Sequence, residues 1–253
     1  MLEFILYFCI FYFGACFGSF LTMASYRVPK GEDIVFKRSY CPICKKQLKV
    51  SSLFPIFSWL FQGGKCSNCG CKISIRYPLI ELITATGFLL TYFFTNNLNI
   101  YHQIYFYLLF LLCMLISIVD IETYEIPYTL QIIFAIFGLI HVFFLKKGIF
   151  IHLLSSVLYF LIFYMMAYFL SKYKNADAIG GGDLGIVTGI GLFLGLNNIN
   201  IFLFLSGVFG LIFGIFWNVK LKKNIFPFGA SLLLSFLMTF VLNNYYNMGS
   251  IFY

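Results

Sequence analysis

Long apolar runs recur along most of the chain, and one polar stretch interrupts them near the N-terminus. Residues 2–21 form an apolar run that is broken only by Glu3. A helix needs about 20 residues to cross the hydrocarbon core of a bilayer, so this run predicts a first membrane-spanning helix. Seven further spans are predicted, at residues 79–95, 103–119, 127–145, 149–171, 184–197, 199–217 and 226–243. The pattern therefore predicts an all-α integral membrane protein with about eight transmembrane helices.

A cleaved signal peptide is the alternative interpretation of the first run. A signal peptide needs basic residues before its apolar region. None precedes this run, and Arg27 and Lys30 follow it instead. We therefore expect a retained helix with its N-terminus on the outer side of the membrane.

Composition supports a membrane protein and divides the chain into three parts. The chain has 253 residues, is 61% hydrophobic and carries 17 basic and 9 acidic residues. Soluble domains contain about 25% charged residues, so a water-soluble enzyme, a disordered tail and a secreted disulfide scaffold are excluded. Residues 22–77 hold 12 of the 26 charges. The predicted domains are a first helix at 1–21, a polar insert at 22–77 and a transmembrane domain at 78–253.

The distribution of basic residues predicts the orientation. Cytoplasmic loops of membrane proteins are enriched in Lys and Arg. If the insert is cytoplasmic, fifteen basic residues lie inside and two lie outside. The inner ones are the ten of the insert with Lys172, Lys174, Lys220, Lys222 and Lys223, and the outer ones are Lys146 and Lys147. A multi-pass protein of the cell membrane with a cytoplasmic insert is predicted, and its net charge of +8 follows from this topology and from attraction to anionic lipid, without a nucleic-acid partner.

Two cysteine pairs in the insert predict a zinc site. Cys41 and Cys44 form one C-x2-C pair, Cys66 and Cys69 form another, and 21 residues separate the pairs. Two such pairs are typical of a closed, structural zinc site with four thiolate ligands. Reduced thiols without metal are the alternative, and Cys71 is a possible substitute for Cys69 as a ligand.

Two aspartates at the ends of predicted spans are the candidate catalytic residues. Asp120 ends the third span, and Asp183 opens the sixth after Gly180, Gly181 and Gly182. Ionisable residues at membrane depth are costly and are functional candidates by default. The chain crosses twice between them, so both acids are expected at the cytoplasmic edge. Such a pair can share one proton and activate a water on a carbonyl group, and the glycines would let an extended substrate backbone approach.

Simpler roles for these residues stay open. Either aspartate can mark a helix end, Asp183 as an N-cap, and the glycines can form a flexible turn. Glu122 and Glu125 are interpreted as loop acids near the site, with a role of either in assisting the aspartates as the alternative, and Asp177 is interpreted as a loop residue. No H-E-x-x-H motif is present, and no Ser is placed with a His base. The remaining protease chemistry is that of aspartic proteases.

These residues, in this order, resemble the type IV prepilin peptidases. Further matching segments flank the cysteine pairs and the aspartates. They are Gly18-Ser-Phe-Leu, Tyr26-Arg27-Val28-Pro29, Pro55-Ile-Phe-Ser58-Trp59, Gly64-Lys65-Cys66, Arg76-Tyr77-Pro78-Leu-Ile-Glu81, the D-x5-I-P of Asp120 to Pro127, the G-x-G-D of Gly180 to Asp183, and Pro227-Phe228-Gly229. The resemblance covers nearly the whole chain.

The resemblance implies a bifunctional enzyme. Asp120 and Asp183 would be the catalytic aspartates, and the substrate would be a prepilin or pseudopilin that is cut after a Gly at the cytoplasmic face. The new N-terminal amine would be methylated with S-adenosylmethionine, for which no binding residue is assigned. The insert would carry zinc. Arg76 and Glu81 match the family pattern and either anchor the insert or serve methylation.

Two positions depart from the family pattern. Thr22 stands where Asn is frequent, and Gly185 stands where Lys or Arg is usual. The departure at Thr22 concerns the expected methylation activity, and the departure at Gly185 concerns the surroundings of the aspartate pair. Two other functions use the same features: a small transporter or channel with acids along an ion path and a zinc-domain plug, and a non-catalytic adaptor that presents the zinc domain.

Overall fold

The computed structural model describes residues 1–34, 36, 38–145, 148–174, 179–222 and 225–251, and it describes no side chains at 145, 174 and 243–251. Lys146, Lys147, Asp177 and Lys223, which enter the predictions above, lie outside the described residues.

The described residues form nine α-helices and no β-strand, apart from two isolated β-bridges. The helices are α1 Leu2–Arg27, α2 Phe57–Phe61, α3 Arg76–Thr95, α4 Ile100–Thr123, α5 Tyr128–Leu145, α6 Ile149–Lys174, α7 Gly181–Leu194, α8 Ile199–Leu221 and α9 Phe228–Ile251. Short 3₁₀ helices lie at Val28–Lys30 and Val50–Leu53. The all-α fold class is confirmed.

Each of the eight predicted spans corresponds to a helix, but not every helix has the length of a membrane span. Within the described parts, five helices are long and apolar enough to cross a bilayer: Leu2–Lys30, Arg76–Thr95, Ile100–Thr123, Ile149–Tyr173 and Ile199–Leu221. The segments Tyr128–Phe144, Gly181–Leu194 and Phe228–Leu242 are shorter apolar helices. A multi-pass membrane protein is supported, and the count of eight crossings stays a prediction.

Helix boundaries differ from the predicted spans for local reasons. α1 continues beyond residue 21 to Arg27, because nothing disrupts its hydrogen bonds before Pro29. α7 begins at Gly181, three residues before the predicted start, and ends at Leu194, which is followed by the C-cap Gly195 with a φ of +65°. A residue with positive φ is a usual helix terminator, and glycine adopts this conformation without steric cost.

The chain divides into two compact units, at residues 1–115 and 116–253. In the first unit α1 packs closely on α3 through small residues. A Cβ on Gly14 would lie 2.8 Å from Cβ of Phe88, and a Cβ on Gly18 would lie 2.7 Å from Cα of Glu81. Such close backbone approach is typical of helix pairs in membranes, where small residues form the contact.

In the second unit α7 is held between its neighbours, which fixes the position of its first turn. A Cβ on Gly191 would lie 2.6 Å from Cα of Ser156 in α6. His152 of α6 lies 2.8 Å from the carbonyl of Leu192, from Nδ1 to O. This histidine is buried and joins α6 to α7.

Candidate active site and metal-binding insert

Asp120 lies in the last turn of α4 and is 3% exposed. The helix ends just after it, because Tyr124 has a φ of +57° and donates its backbone N–H to the carbonyl of Asp120 over 2.8 Å. The indole N–H of Trp217 donates to the Tyr124 hydroxyl over 3.0 Å. These two hydrogen bonds fix the chain just after Asp120, at the end of α4, and the Asp120 carboxylate points away from α4.

Asp183 is the third residue of α7 and is half-buried. The N-cap position belongs to Gly180, so the alternative of Asp183 as N-cap is wrong. Oδ2 of Asp183 instead accepts the backbone N–H of Gly180 over 3.2 Å. This bond turns the carboxylate back over the glycine segment that precedes α7.

The structure brings the two aspartates together at the start of α9. A Cβ on Gly229 would lie 3.0 Å from Oδ2 of Asp120 and 3.0 Å from Oδ1 of Asp183. The two oxygens are therefore no farther apart than twice that distance. The N–H of Ala230 donates to Oδ2 of Asp120 over 2.8 Å, and the N–H of Gly229 faces both carboxylates. The first turn of a third helix thus holds the pair.

A cavity of about 280 Å³ opens over the aspartates. The two carboxylates form its polar floor, and the loop after α4 and the glycine segment form its walls. Its lining residues are Asp120, Tyr124, Glu125, Ile126, Gly180, Gly181, Gly182 and Asp183. Both aspartates therefore line one cavity.

The three glycines differ in their surroundings. A Cβ on Gly181 would meet no atom within 4 Å, whereas a Cβ on Gly182 would lie 3.1 Å from Cβ of Ile126. A Cβ on Gly180 would lie 3.4 Å from Oδ2 of Asp183. Gly182 is thus packed against the loop after α4, and Gly181 is the residue with open space beside it.

Gly185 has a neighbour that sequence analysis did not foresee. The side chain of Gln131, from α5, fills the space where a Cβ on Gly185 would lie. The Nε2 group of Gln131 donates to the carbonyl of Ile126 over 2.8 Å. A polar side chain from another helix therefore occupies the place beside Gly185, two residues after Asp183 in α7.

Sequence analysis also did not assign roles to Gly229 and Ala230. The available signal was Pro227 before an apolar run, since Pro is favoured at the beginning of a helix, where its missing N–H is not needed. Pro227 indicated where the helix starts. The side chains that the free N–H groups of the first helical turn bind depend on tertiary structure, which the sequence does not give.

The two cysteine pairs of the insert form turns with the same hydrogen bonds. Lys45 donates its N–H to the carbonyl of Cys41, and Gly70 donates to that of Cys66. Both donors have positive φ, +57° and +70°. The N–H of Cys41 donates to the carbonyl of Lys46, and that of Cys66 to the carbonyl of Cys71. The pairs are therefore two copies of one knuckle.

Five sulfur atoms converge in the insert. Those of Cys41, Cys66, Cys69 and Cys71 all lie within 4.8 Å of one another. The thiol of Cys44 lies beside this group, in contact with Cys41 and Cys69. Of the four predicted ligands, Cys41, Cys66 and Cys69 belong to the tightest group of sulfur atoms, and Cys71 is its fourth member. The remaining predicted ligand, Cys44, lies next to this group.

The first cysteine of each knuckle favours the thiolate form that a metal requires, whereas burial and neighbouring thiols raise the pKa of Cys44 and Cys69, the second cysteine of each knuckle. A hydrogen bond from the backbone N–H of Cys44 lowers the pKa of the Cys41 thiol to about 6. A hydrogen bond from the backbone N–H of Asn68 lowers the pKa of Cys66. Metals bind deprotonated thiols, so this donor set could hold a metal ion.

Glu81 and Arg76, which match the family pattern, lie at the base of the insert. Glu81 is 7% exposed, and its Oε2 accepts the backbone N–H of Ile56 over 2.7 Å. Arg76 donates to Oγ of Ser25 over 2.8 Å. Glu81 joins the insert to α3, and Arg76 joins the start of α3 to the end of α1, which favours the anchoring interpretation.

Two protein-family models match this chain. A family model described as "Bacterial Peptidase A24 N-terminal domain" matches residues 12–95, and one described as "Type IV leader peptidase family" matches residues 107–215. No solved structure matches the chain.

Several proteins named "Prepilin leader peptidase/N-methyltransferase" are similar to the chain. The protein of Bacillus subtilis is 31% identical over 81% of this chain and 80% of its own length. That of Neisseria gonorrhoeae is 31% identical over 91% and 88%, and that of Vibrio cholerae is 27% identical over 88% and 91%. The chain therefore belongs to the type IV leader peptidase family.

Proposed function

We propose that the chain cleaves the leader peptide of type IV prepilins or pseudopilins and N-methylates the N-terminus that cleavage creates. The observation that carries the proposal is the convergence of the Asp120 and Asp183 carboxylates on Gly229, at the floor of a cavity. Membership in the family supports both activities, since similar proteins carry both in their names.

The aspartates act as a general acid and base. One carboxylate removes a proton from water, the water oxygen attacks the scissile carbonyl carbon, and the other carboxyl group donates its proton to the carbonyl oxygen. Transfer of a proton to the amide nitrogen then lets the C–N bond break. The products are the leader with a free carboxyl group and the pilin with a free amine.

The glycine segment receives the substrate backbone. Gly181 has no atom within 4 Å of the position of a Cβ, so an extended peptide can approach its backbone closely. Gly180 and Gly182 complete this wall of the cavity. The proposed substrate-contacting residues are therefore the three glycines that the sequence indicated.

The insert holds zinc as a structural ion. Because the two knuckles are equivalent, Cys41 and Cys66 occupy the first cysteine position of their knuckles, and Cys44 and Cys69 occupy the second. Cys71 corresponds to Lys46, which has no ligand atom for zinc. We therefore keep Cys41, Cys44, Cys66 and Cys69 as the ligands. A bound zinc would supply folding free energy to a small insert.

S-adenosylmethionine is the proposed methyl donor. When bound, it would supply an electrophilic methyl group: the freed amine of the pilin would form the N–C bond, the methyl C–S bond would break to release S-adenosylhomocysteine, and the amine would lose a proton. In the proposed domain organisation, residues 78–253 form the domain that cleaves the substrate and residues 22–77 form the insert that carries the zinc site.

The proposed location is the inner membrane, with the N-terminus outside and the insert and aspartates on the cytoplasmic side. The basic residues of the insert support this orientation. Prepilins with a short basic leader would then meet the active site from the cytoplasm, where they are made.

Co-expression with a prepilin from the same genome tests the proposal. Intact-mass analysis of the pilin reports leader removal and the added methyl group in one spectrum. We expect Asp120→Asn and Asp183→Asn each to abolish cleavage, whereas Glu3→Gln, which removes a carboxylate at the start of α1, leaves it intact. Normal cleavage by either aspartate variant would refute the proposed mechanism.

A further inference from the structure

The segment between the two cysteine pairs exposes an unusual number of large apolar side chains. It comprises the 3₁₀ helix Val50–Leu53 and α2. Six of its side chains form what we call the apolar ridge. They are Val50, Leu53, Phe54, Phe57, Leu60 and Phe61, with Phe61 87% and Val50 68% exposed. We propose that the apolar ridge inserts into the headgroup region of an anionic lipid bilayer, beside the membrane-spanning helices α1 and α3.

The opposite side of the segment already forms the contacts that fold it. Pro55 is buried, and the indole N–H of Trp59 donates to the carbonyl of Ile73 over 3.1 Å. A Cβ on Gly64 would lie 3.0 Å from the Trp59 ring. The insert thus packs on the Trp59 side of α2, and the apolar ridge faces outward.

A strained turn fixes the direction of the segment. Ile56 has φ +63° and ψ −56°, and the N–H of Phe57 donates to the carbonyl of Pro55 over 2.6 Å. This is a γ-turn with positive φ, which is rare and costly for a β-branched residue. The bond from the Ile56 N–H to the buried Glu81 carboxylate holds it in place.

Glu81 sets the depth of the segment relative to the membrane. It is the sixth residue of α3, and a helix rises about 1.5 Å per residue, so it lies roughly 7.5 Å beyond the helix start. At this level α3 exposes the apolar side chains of Leu79 and Ile83. The segment is therefore attached where the lipid-facing surface of α3 begins, and the apolar ridge lies at the height of the interface.

The charge around the apolar ridge fits an anionic surface. From Arg38 to Arg76 the sequence has seven Lys or Arg residues and no Asp or Glu. The five lysines are exposed: Lys45, Lys46, Lys49, Lys65 and Lys72. Exposed aromatic residues beside lysines are typical of helices that lie in the membrane interface, and basic clusters near spans attract anionic lipids.

A groove of about 580 Å³ runs along the apolar ridge, between Lys49, Phe54 and Phe61. Its three phenylalanines can accept an acyl chain, and Lys49, with the serine hydroxyls that line the rest of the groove, can accept a phosphate. A small polar molecule such as the methyl donor is the competing occupant, and the experiment must separate the two.

Photocross-linking tests the proposal without reference to catalysis. The photoreactive residue p-benzoylphenylalanine replaces Phe61 in one protein and Phe36 in another. Phe36 is the matched control, since it is a phenylalanine of the same insert, is 88% exposed and lies outside the apolar ridge. Both full-length proteins carry Asp120→Asn and are placed in nanodiscs of phosphatidylcholine with or without phosphatidylglycerol.

We expect mass spectrometry to find phospholipid adducts several-fold more abundant at position 61 than at position 36, and more abundant with phosphatidylglycerol. Equal yields at the two positions would overturn the proposal. So would a loss of adducts when S-adenosylmethionine is added, because the groove would then be a small-molecule site. Since Asp120→Asn is inactive under the proposed function, the result is independent of cleavage.

A second variant guards against misfolding. Phe61→Asp places a charge in the apolar ridge, and Phe36→Asp is its control. With p-benzoylphenylalanine at position 54, we expect Phe61→Asp to reduce the lipid adducts several-fold and Phe36→Asp to leave them unchanged, with normal zinc content in both. An unchanged yield in folded Phe61→Asp protein would count against docking by the apolar ridge.

Discussion

The backbone N–H of Ala230 donates a 2.8 Å hydrogen bond to the Asp120 carboxylate, although 110 residues of sequence separate them. The donor lies in the first turn of α9, where N–H groups have no partner within the helix and where the helix dipole favours negative charge. The same turn presents Gly229 to both aspartates. The start of α9 thus positions the acids without supplying a reactive group.

Gly229→Ala is predicted to disable cleavage while leaving the protein folded. The new methyl group would lie 3.0 Å from an oxygen of each aspartate and 2.6 Å from Cδ1 of Ile126, so the carboxylates must move apart. A displacement of about 1 Å at reacting groups can lower a rate about 100-fold. The rate of leader removal in detergent-solubilised protein measures the effect.

Gly207→Ala is the control for this variant. Gly207 lies in α8, and a Cβ there would meet no atom within 4 Å. Its cleavage rate should equal that of the wild type. If Gly229→Ala is also fully active, close contact at Gly229 has no part in positioning the aspartates.

Gly181→Ala is predicted to weaken substrate binding without lowering the thermal stability of the protein. Alanine favours a helix over glycine by about 1 kcal/mol in a helix interior, and less at its first residue, and no atom lies near the new methyl group. Thermal stability should stay the same or rise. If a substrate backbone approaches Gly181, the methyl group occupies its place, and KM for a prepilin peptide should rise several-fold with a smaller change in kcat.

The contrary result for Gly181→Ala is equally definite. An unchanged KM would mean that the substrate passes elsewhere in the cavity, and the glycine would then serve only the turn before α7. The comparison needs no further control, because a fall in melting temperature would itself reveal structural damage.

The sequence predicted the helices because apolar runs of this length have few other uses in a protein. It also predicted that Asp120 and Asp183 lie on one side of the membrane, because two predicted spans lie between them and an even number of crossings returns the chain to the same side. Those inferences need only the length and polarity of segments. They require no information about which helices pack against each other.

The features that the sequence did not reveal all depend on such packing. The contact of Gln131 with Gly185 joins α5 to α7, and the N–H groups of α9 reach Asp120 in α4. Tyr124 adopts a positive φ that its side chain does not favour, so no residue preference indicated the turn there. The five converging sulfur atoms were likewise ambiguous, since the spacing of Cys69 and Cys71 allows either to point inward.

Substitutions of Glu81 are predicted to separate its two properties, charge and hydrogen-bond acceptance. Glu81→Gln keeps an oxygen that can accept the Ile56 N–H, whereas Glu81→Leu leaves that N–H without its acceptor. An unsatisfied buried group costs about 1–3 kcal/mol, and the strained turn at Ile56 then loses its support. We expect Glu81→Leu to make the insert sensitive to limited proteolysis and Glu81→Gln to resemble the wild type.

Methylation provides a second measurement for the same pair. If the carboxylate of Glu81 serves methyl transfer directly, Glu81→Gln will abolish methylation of a pilin that is still cleaved and will leave the insert resistant to protease. Anchoring alone predicts that methylation by Glu81→Gln persists.

The zinc ligands can be identified by comparing Cys44→Ser with Cys71→Ser in the full-length protein. The repeated knuckle places Cys44 and Cys69 in equivalent positions, whereas Cys71 is equivalent to Lys46. The apparent free energy of zinc binding to a structural site is about 10–16 kcal/mol, so loss of a ligand should strongly reduce occupancy. We expect Cys71→Ser to retain zinc and Cys44→Ser to lose it, measured as metal content after dialysis against a chelator.

The opposite outcome would assign zinc to the tightest group of sulfur atoms, Cys41, Cys66, Cys69 and Cys71. Zinc retained by both single variants but lost from the double variant would mean that Cys44 and Cys71 replace each other as the fourth ligand. Either result would show that the equivalence of the two turns does not determine which thiols bind. Treatment with chelator should also make the wild-type insert sensitive to protease, because the described fold of residues 38–76 contains only short helices and two isolated bridges that could replace the metal.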